Sequence, residues 1–169
     1  MKKKVMALVL SALMVTGLVG CGNNNDNSAD SKESTLKVGM ITDSGTIDDK
    51  SFNQGTWEGI IEAEEKLGIE KNYLKPSGET EADYLTEIQN LYDSGYKFIV
   101  GPGFKLETAI YKAQEKYQDA KFVILDGAPM DEDGNYVVAD NTVAIQFAEH
   151  EGGFAAGVAA AVELQTGDL

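Results

Sequence analysis

The sequence is short of reactive and metal-binding side chains. It has one cysteine, Cys21, in 169 residues, so no intrachain disulfide can form. It has one histidine, His150, so the paired histidines of a zinc-binding helix are excluded. No Gly-x-Ser-x-Gly elbow is present, and nothing sets a nucleophile beside a base. The Gly-x-x-x-x-Gly-Lys phosphate loop is missing, and no Gly-x-Gly-x-x-Gly follows the first apolar strand. No cofactor is implied. Basic residues are scarce, with 14 Lys+Arg against 28 Asp+Glu and a net charge of −14. That balance excludes nucleic acid as a partner, which needs clustered cations, and a head lying on anionic lipid. Acidity otherwise says only that the chain is soluble.

The first twenty residues differ from the rest. Lys2, Lys3 and Lys4 precede an almost wholly apolar run, 5–15. That run is short for a membrane-spanning helix, which needs about 20 apolar residues. The order basic, apolar, small is that of a secretory signal, which assigns 1–20 to a signal peptide. Leu18-Val19-Gly20-Cys21 resembles the lipobox of bacterial lipoproteins, in which the thiol is acylated and becomes the new N-terminus. Cys21 is therefore expected to be lipidated and to tether the chain to the outer face of the cell membrane. More than one lipid chain is needed for stable anchoring, and this modification supplies more than one. Residues 21–34 read as the acylated cysteine and a disordered spacer, because NNNDNSADSKES offers almost nothing apolar to bury.

The remainder, 35–169, has the length of one domain. Short apolar runs alternate with amphipathic stretches. Strands are expected at 36–41 (LKVGMI), 73–75, 97–100 (KFIV), 121–125 (KFVIL) and 142–148. Helices are expected from a Ser51-x-x-Gln54 capping box to Gly68, and over 79–93, 106–117 and 149–164. The last is rich in Ala and Gly, which predicts close packing. Residues 131–135 (DEDGN) read as a surface turn. Two-sided apolar strands between helices predict an α/β fold, a doubly wound parallel sheet. Ligands of such sheets bind beyond the carboxyl ends of the strands, which points to the loops 42–52, 101–105, 126–130 and 148–154.

In those loops Asp43 and Asp126 stand where strands leave the sheet, as carboxylates able to accept hydrogen bonds from a ligand or from their own turns. Asp48 and Asp49 read as charges complementing a helix N-terminus. Phe52, one residue into the helix, is either core or an aromatic plate at a cleft edge. Gly101-Pro102-Gly103 reads as a turn that lets backbone approach a ligand. His150 starts a helix and reads as solvent-facing.

The segments VGMITDSG and IDDKSFNQGTWEG (38–45 and 47–59) resemble the opening of the BMP (basic membrane protein) lipoproteins. GYKFIVGPGF, KFVILDG and the Glu151-x-Gly-x-x-Ala-Gly helix are similar to later parts of that family, so the resemblance covers 36–169. It implies the first lobe of a two-lobed, periplasmic-binding-protein-like fold. It further implies a lipid-anchored, non-catalytic protein that captures a purine nucleoside for an ABC importer permease. Carried over by motif, Phe52 aligns with the first-lobe aromatic, Asp43 and Asp126 with the acids after the first and fourth strands, and Asn53 with the neighbour of that aromatic. Family members run about twice this length, so the resemblance also implies an N-terminal fragment, without the second lobe. Two other readings stand beside it. One is a sugar- or signal-binding receptor lipoprotein of the same fold. The other is a nucleoside hydrolase using Asp43 and Asp48.

Overall fold

The computed structural model describes residues 35–166. Residues 1–34, with the expected signal peptide, Cys21 and the expected spacer, lie outside the described residues. The elements follow in the order β1 (Lys37–Ile41), α1 (Phe52–Leu67), β2 (Glu70–Leu74), α2 (Glu81–Asp93), β3 (Phe98–Pro102), a 3-10 turn (Phe104–Leu106), α3 (Glu107–Lys116), β4 (Lys121–Leu125), β5 (Thr142–Ile145) and α4 (Glu149–Thr166). The five strands form one sheet in the order β2-β1-β3-β4-β5, and every neighbouring pair is parallel. The α/β, doubly wound parallel sheet expected from the sequence is the fold. Strand order reverses between β1 and β3, the switch point beside which ligands of such sheets bind.

Alternation along the strands sorts the core onto two faces. Ile41, Ile99, Phe122 and Ile124 pack with Tyr84, Ile88 and Leu91 of α2 and Ala109, Ile110 and Ala113 of α3. Val38, Met40 and Val100 pack with Ile60 of α1, with Trp57, Val123 and Leu125 at their margin. The helical spacing read in α2 is what places Tyr84, Ile88 and Leu91 inside. Leu67, which helical spacing sets on the same side as Ile60, lies exposed as the last residue of α1. There Gly68 turns into the left-handed region and its N–H closes on Glu64 O at 2.9 Å.

Three further expectations are corrected. The Ser51-Gln54 capping box does not form, because the Ser51 side chain makes no cap bond. Asp49 supplies the cap instead, its Oδ1 accepting from Ser51 N at 2.8 Å and Gln54 N at 3.1 Å. A reciprocal box does occur at α2, between Thr80 and Asp83. Gly101 and Pro102 are not a turn but the last rungs of β3, paired with Ile124 and Leu125. Finally, α4 is exposed along its described length, and a Cβ placed on Gly152, Gly153 or Gly157 would meet nothing within 4 Å. Small side chains permit close approach, but along these glycines no other described residue lies near enough to pack.

The β4–β5 connection carries no helix and is pinned by side chains. Gln114, fully buried, donates to Val137 O at 2.8 Å and accepts from Ala139 N at 3.2 Å. Asn141 Nδ2 donates to the carbonyls of Gln114, Tyr117 and Ala120. Within the connection, 131–135 form the expected turn, Asp131 Oδ1 accepting from Asp133 N at 2.9 Å and Asn135 N at 2.8 Å.

Gly39, mid-β1, brings the strand against α2. A Cβ there would lie 2.9 Å from Leu91 Cδ1 and 3.2 Å from Tyr96 Cβ. Gly39→Ala should therefore overpack the core and lower stability by about 1–3 kcal/mol, read from the urea midpoint. An unchanged midpoint would show that Leu91 has room to turn aside.

Candidate functional site

The loops at the carboxyl ends of the strands share one edge of the sheet. At the end of β1 the chain turns through 42–51 into α1, and the turn is organised by Asn53. This side chain is 2 % exposed. Its Nδ2 donates to Asp43 Oδ1 at 2.7 Å and to Asp49 Oδ2 at 2.7 Å, while its Oδ1 accepts from Asp43 N at 3.1 Å. Asp43 Oδ1 also accepts from Gly45 N at 2.9 Å. Burial works against the charge on Asp49, but the Asn53 amide and the backbone N–H groups of Ser51, Gln54 and Asn53 outweigh it. They hold this carboxyl below the usual carboxylate range. Asp48, one residue earlier, bonds the Thr46 hydroxyl.

Asp43 turns its second oxygen toward β3. Oδ2 lies 3.1 Å from where a Cβ would stand on Gly103, whose φ is +103°. Glycine is required there both for its backbone conformation and for the carboxylate's approach. Gly103 N donates to Leu125 O at 2.7 Å, so this one residue touches the ends of both β1 and β4.

Phe52 begins α1 and is 43 % exposed. Its ring stacks on Phe147, 48 % exposed, with centroids 5.8 Å apart and planes at 29°. The two rings, with Ser51, Gly55, Thr56 and Leu125, line an open cavity of about 420 Å³. Beside it lies a second, more polar cavity of about 550 Å³, bordered by Asp126, Gln146, Phe147, Glu149, Phe104 and Tyr136 among others.

Asp126 ends β4 with a φ of +58°, a left-handed conformation that carries strain in a residue other than glycine. Its N–H donates to Ile145 O at 2.7 Å. Burial pushes its carboxyl up, and the hydrogen bond and charge of Glu149, at the start of α4, push it further the same way. The next turn is held by Glu107, 8 % exposed, whose Oε1 accepts from Ala128 N at 3.1 Å.

The structure thus joins Asp43 and Asn53 directly, sets Phe52 beside them at the start of the same helix, and places Asp126 in the adjoining cavity. Sequence reasoning missed Phe147, Glu149 and Glu107. Phe147 was hidden by the reading of 142–148 as strand. In fact β5 ends at Ile145, and Phe147 stands in the loop beyond it.

Comparison with known proteins places these features in a family context. The sequence model for the Bmp family, described as ABC transporter substrate-binding protein PnrA-like, matches residues 36–168. A Listeria innocua protein named CD4+ T-cell-stimulating antigen is 36 % identical over 98 % of this chain and 47 % of its own length. The ABC transporter nucleoside-binding protein BmpA of Lactococcus lactis subsp. cremoris is 33 % identical over 100 % of this chain and 47 % of its own. The chain therefore spans about half the length of these curated relatives. An ABC transporter solute-binding protein from Aeropyrum pernix superposes with a TM-score of 0.56 at 26 % identity, covering 66 % of this chain and 28 % of that one.

The Asp126–Glu149 contact has a pH signature. A carboxyl raised in the folded state keeps its proton longer there than in the unfolded chain. Its contribution to stability is therefore full at low pH and is lost as pH rises from the ordinary carboxylate range through the raised value. Glu149→Gln removes the neighbouring charge but not the burial, so the Asp126 midpoint should fall part of the way back. Carbon-detected NMR titration of the Asp126 carboxyl reads this directly, and an unmoved midpoint would contradict the part assigned to Glu149.

Proposed function

The chain belongs to the PnrA-like family of ABC transporter substrate-binding proteins, and from that premise we propose that it is a non-catalytic, lipid-anchored binding protein that captures a purine nucleoside for an ABC importer. On this reading the described unit is the first lobe of a two-lobed protein. Acylated Cys21 holds it at the extracytoplasmic face of the membrane, and 21–34 form the spacer. Partition into detergent, lost on Cys21→Ser, checks the anchor.

One observation carries the ligand assignment. A half-exposed aromatic ring, Phe52, borders a cavity at the switch-point edge of the sheet, with the strand-end carboxylates Asp43 and Asp126 in the adjoining loops. A ring offered to solvent at such an edge can stack a planar base. Ionised carboxylates accept hydrogen bonds only, so they suit the N–H groups of a base and the hydroxyls of a ribose. The name of the Lactococcus relative, nucleoside-binding, agrees in kind.

The roles divide as follows. Phe52 stacks the base. Asp126 takes N–H donors on its edge, and Asp43 takes a donor of base or ribose through Oδ2. Asn53, with its amide committed to Asp43 and Asp49, acts through Asp43 by holding it. Asp43 Oδ1 already accepts two N–H bonds, which suits a fixed acceptor better than a base that must take up protons.

Phe52→Ala in the full chain should weaken guanosine, inosine and adenosine binding by roughly 1–3 kcal/mol, the size of a base–aromatic stack, with the melting temperature little changed. Titration calorimetry with parallel thermal melts measures both. Unchanged affinity together with a large fall in melting temperature would show that Phe52 is a packing residue.

A further inference from the structure

Asp126 and Glu149 stand on different elements but meet in one place. The Asp126 N–H donates to Ile145 O at 2.7 Å, which sets the end of β4 against the end of β5. Residues 146–148 link β5 to α4 and return Glu149 to Asp126. Both line the cavity of about 550 Å³ on the ligand edge, and their carboxyls are hydrogen-bonded to each other. Two ionised carboxylates have no hydrogen to share, so this contact holds one proton between two acids. The other titratable groups lining the cavity are Glu107 of α3, Tyr136 of the β4–β5 connection and His150 of α4. Glu107 Oε1 already accepts from Ala128 N. Among the described residues that line the cavity none is a lysine or arginine, so no fixed cation draws the proton off the pair.

We propose that Glu149 determines which purines the site accepts, by giving Asp126 a proton to keep or to pass on. The inference rests on the reading of Asp126 as a contact for the base edge. Ionised, Asp126 offers acceptors only, the match for the adjacent N1–H and N2–H donors of guanosine. Protonated, it offers a donor and an acceptor, the match for the bare N1 and the N6–H of adenosine. A lone carboxylate rejects adenosine, because the N1 lone pair would face an oxygen without hydrogen. Beside Glu149 the mismatch is removed within the pair. The proton stays on Asp126 when adenosine arrives and passes to Glu149 when guanosine arrives. Above the pH at which the pair gives up this proton, adenosine has to take one from solvent. Its affinity then falls with rising pH, by up to about tenfold per pH unit, while that of guanosine is kept.

The test compares the native full chain with Glu149→Gln and with His150→Gln, a control for the neighbouring imidazole, using guanosine and adenosine from about pH 5 to 8. In the native chain the ratio of guanosine to adenosine affinity should climb with pH. On the climb adenosine binding should take up a proton, read as a difference in calorimetric heat between two buffers of unlike ionisation enthalpy. Glutamine keeps the size of Glu149 and donates to an ionised Asp126, but it holds no titrating proton. Glu149→Gln should therefore start the climb at lower pH and cut adenosine affinity relative to guanosine by about 3- to 10-fold at neutral pH. His150→Gln should leave the climb in place. A climb that Glu149→Gln does not move, or that moves with His150→Gln instead, would overturn the inference. So would equal losses of both purines in Glu149→Gln with a lowered melting temperature, which mark a packing role. If the native chain binds guanosine and adenosine at a ratio that pH does not change, only this inference fails. If it binds neither at any of these pH values, the nucleoside reading fails with it.

Discussion

The buried amide of Asn53 ties the end of β1 to the beginning of α1, and the geometry of the ligand edge follows from it. Its nitrogen bonds Asp43 and Asp49 and its oxygen takes the Asp43 N–H. Removing such a group would strand buried partners at a cost of about 1–3 kcal/mol each. The same amide holds Asp49 in the position from which it caps α1, so the helix start and the strand end are fixed together. Successive residues on a helix point about 100° apart. With Asn53 turned inward at 2 % exposure, Phe52 is carried to the surface at 43 %. The exposure of that ring is a consequence of the polar network beneath it.

The parallel sheet does the remaining assembly. Because all four strand pairs run the same way, the turns bearing Asp43, Gly103, Asp126 and Phe147 emerge on one edge, although they are far apart in sequence. Gly103 is the point of closest approach, donating to Leu125 O while admitting Asp43 beside its Cα. Asp126 is held in a left-handed backbone conformation by its bond to Ile145 and by the Glu107 bond to the following turn. Strain of that kind collects where a side chain must be aimed. The opposite face of the sheet is covered by α2 and α3, whose buried side chains contribute to stability.

Much of this was legible in the sequence. β4 was read residue for residue at 121–125, because a wholly apolar run between a charged start and Asp-Gly is hard to mistake. The doubly wound fold followed from the alternation of such runs with helical spacing. Asp43, Phe52 and Asp126 were singled out because strand ends mark ligand loops and because DDKSFNQ is a specific motif, and all three lie on the carboxyl edge of the sheet. What escaped depended mostly on contacts distant in sequence, the cap of α1 excepted. The cap of α1 was assigned to Ser51 because the box pattern is local, whereas the turn actually brings Asp49 to the helix start. Phe147 looked like strand because alternation continues past Ile145, where pairing with β4 stops. The Asp126–Glu149 contact joins residues that no spacing rule connects. The Ala- and Gly-rich composition of α4 gave its capacity for close packing, not the identity of a surface to pack on.

The central claim is that the carboxyl edge of the sheet, built on the Asn53 network, receives the nucleoside. Backbone amide shifts recorded while inosine is titrated into the isotope-labelled chain test it most directly. The account predicts that the largest changes fall in 43–53, 103–105, 126–128 and 146–149, with the outer faces of α2 and α3 unmoved. Changes centred on α2 and α3, or on the amino edge around Lys37, Lys97 and Lys121, would contradict it.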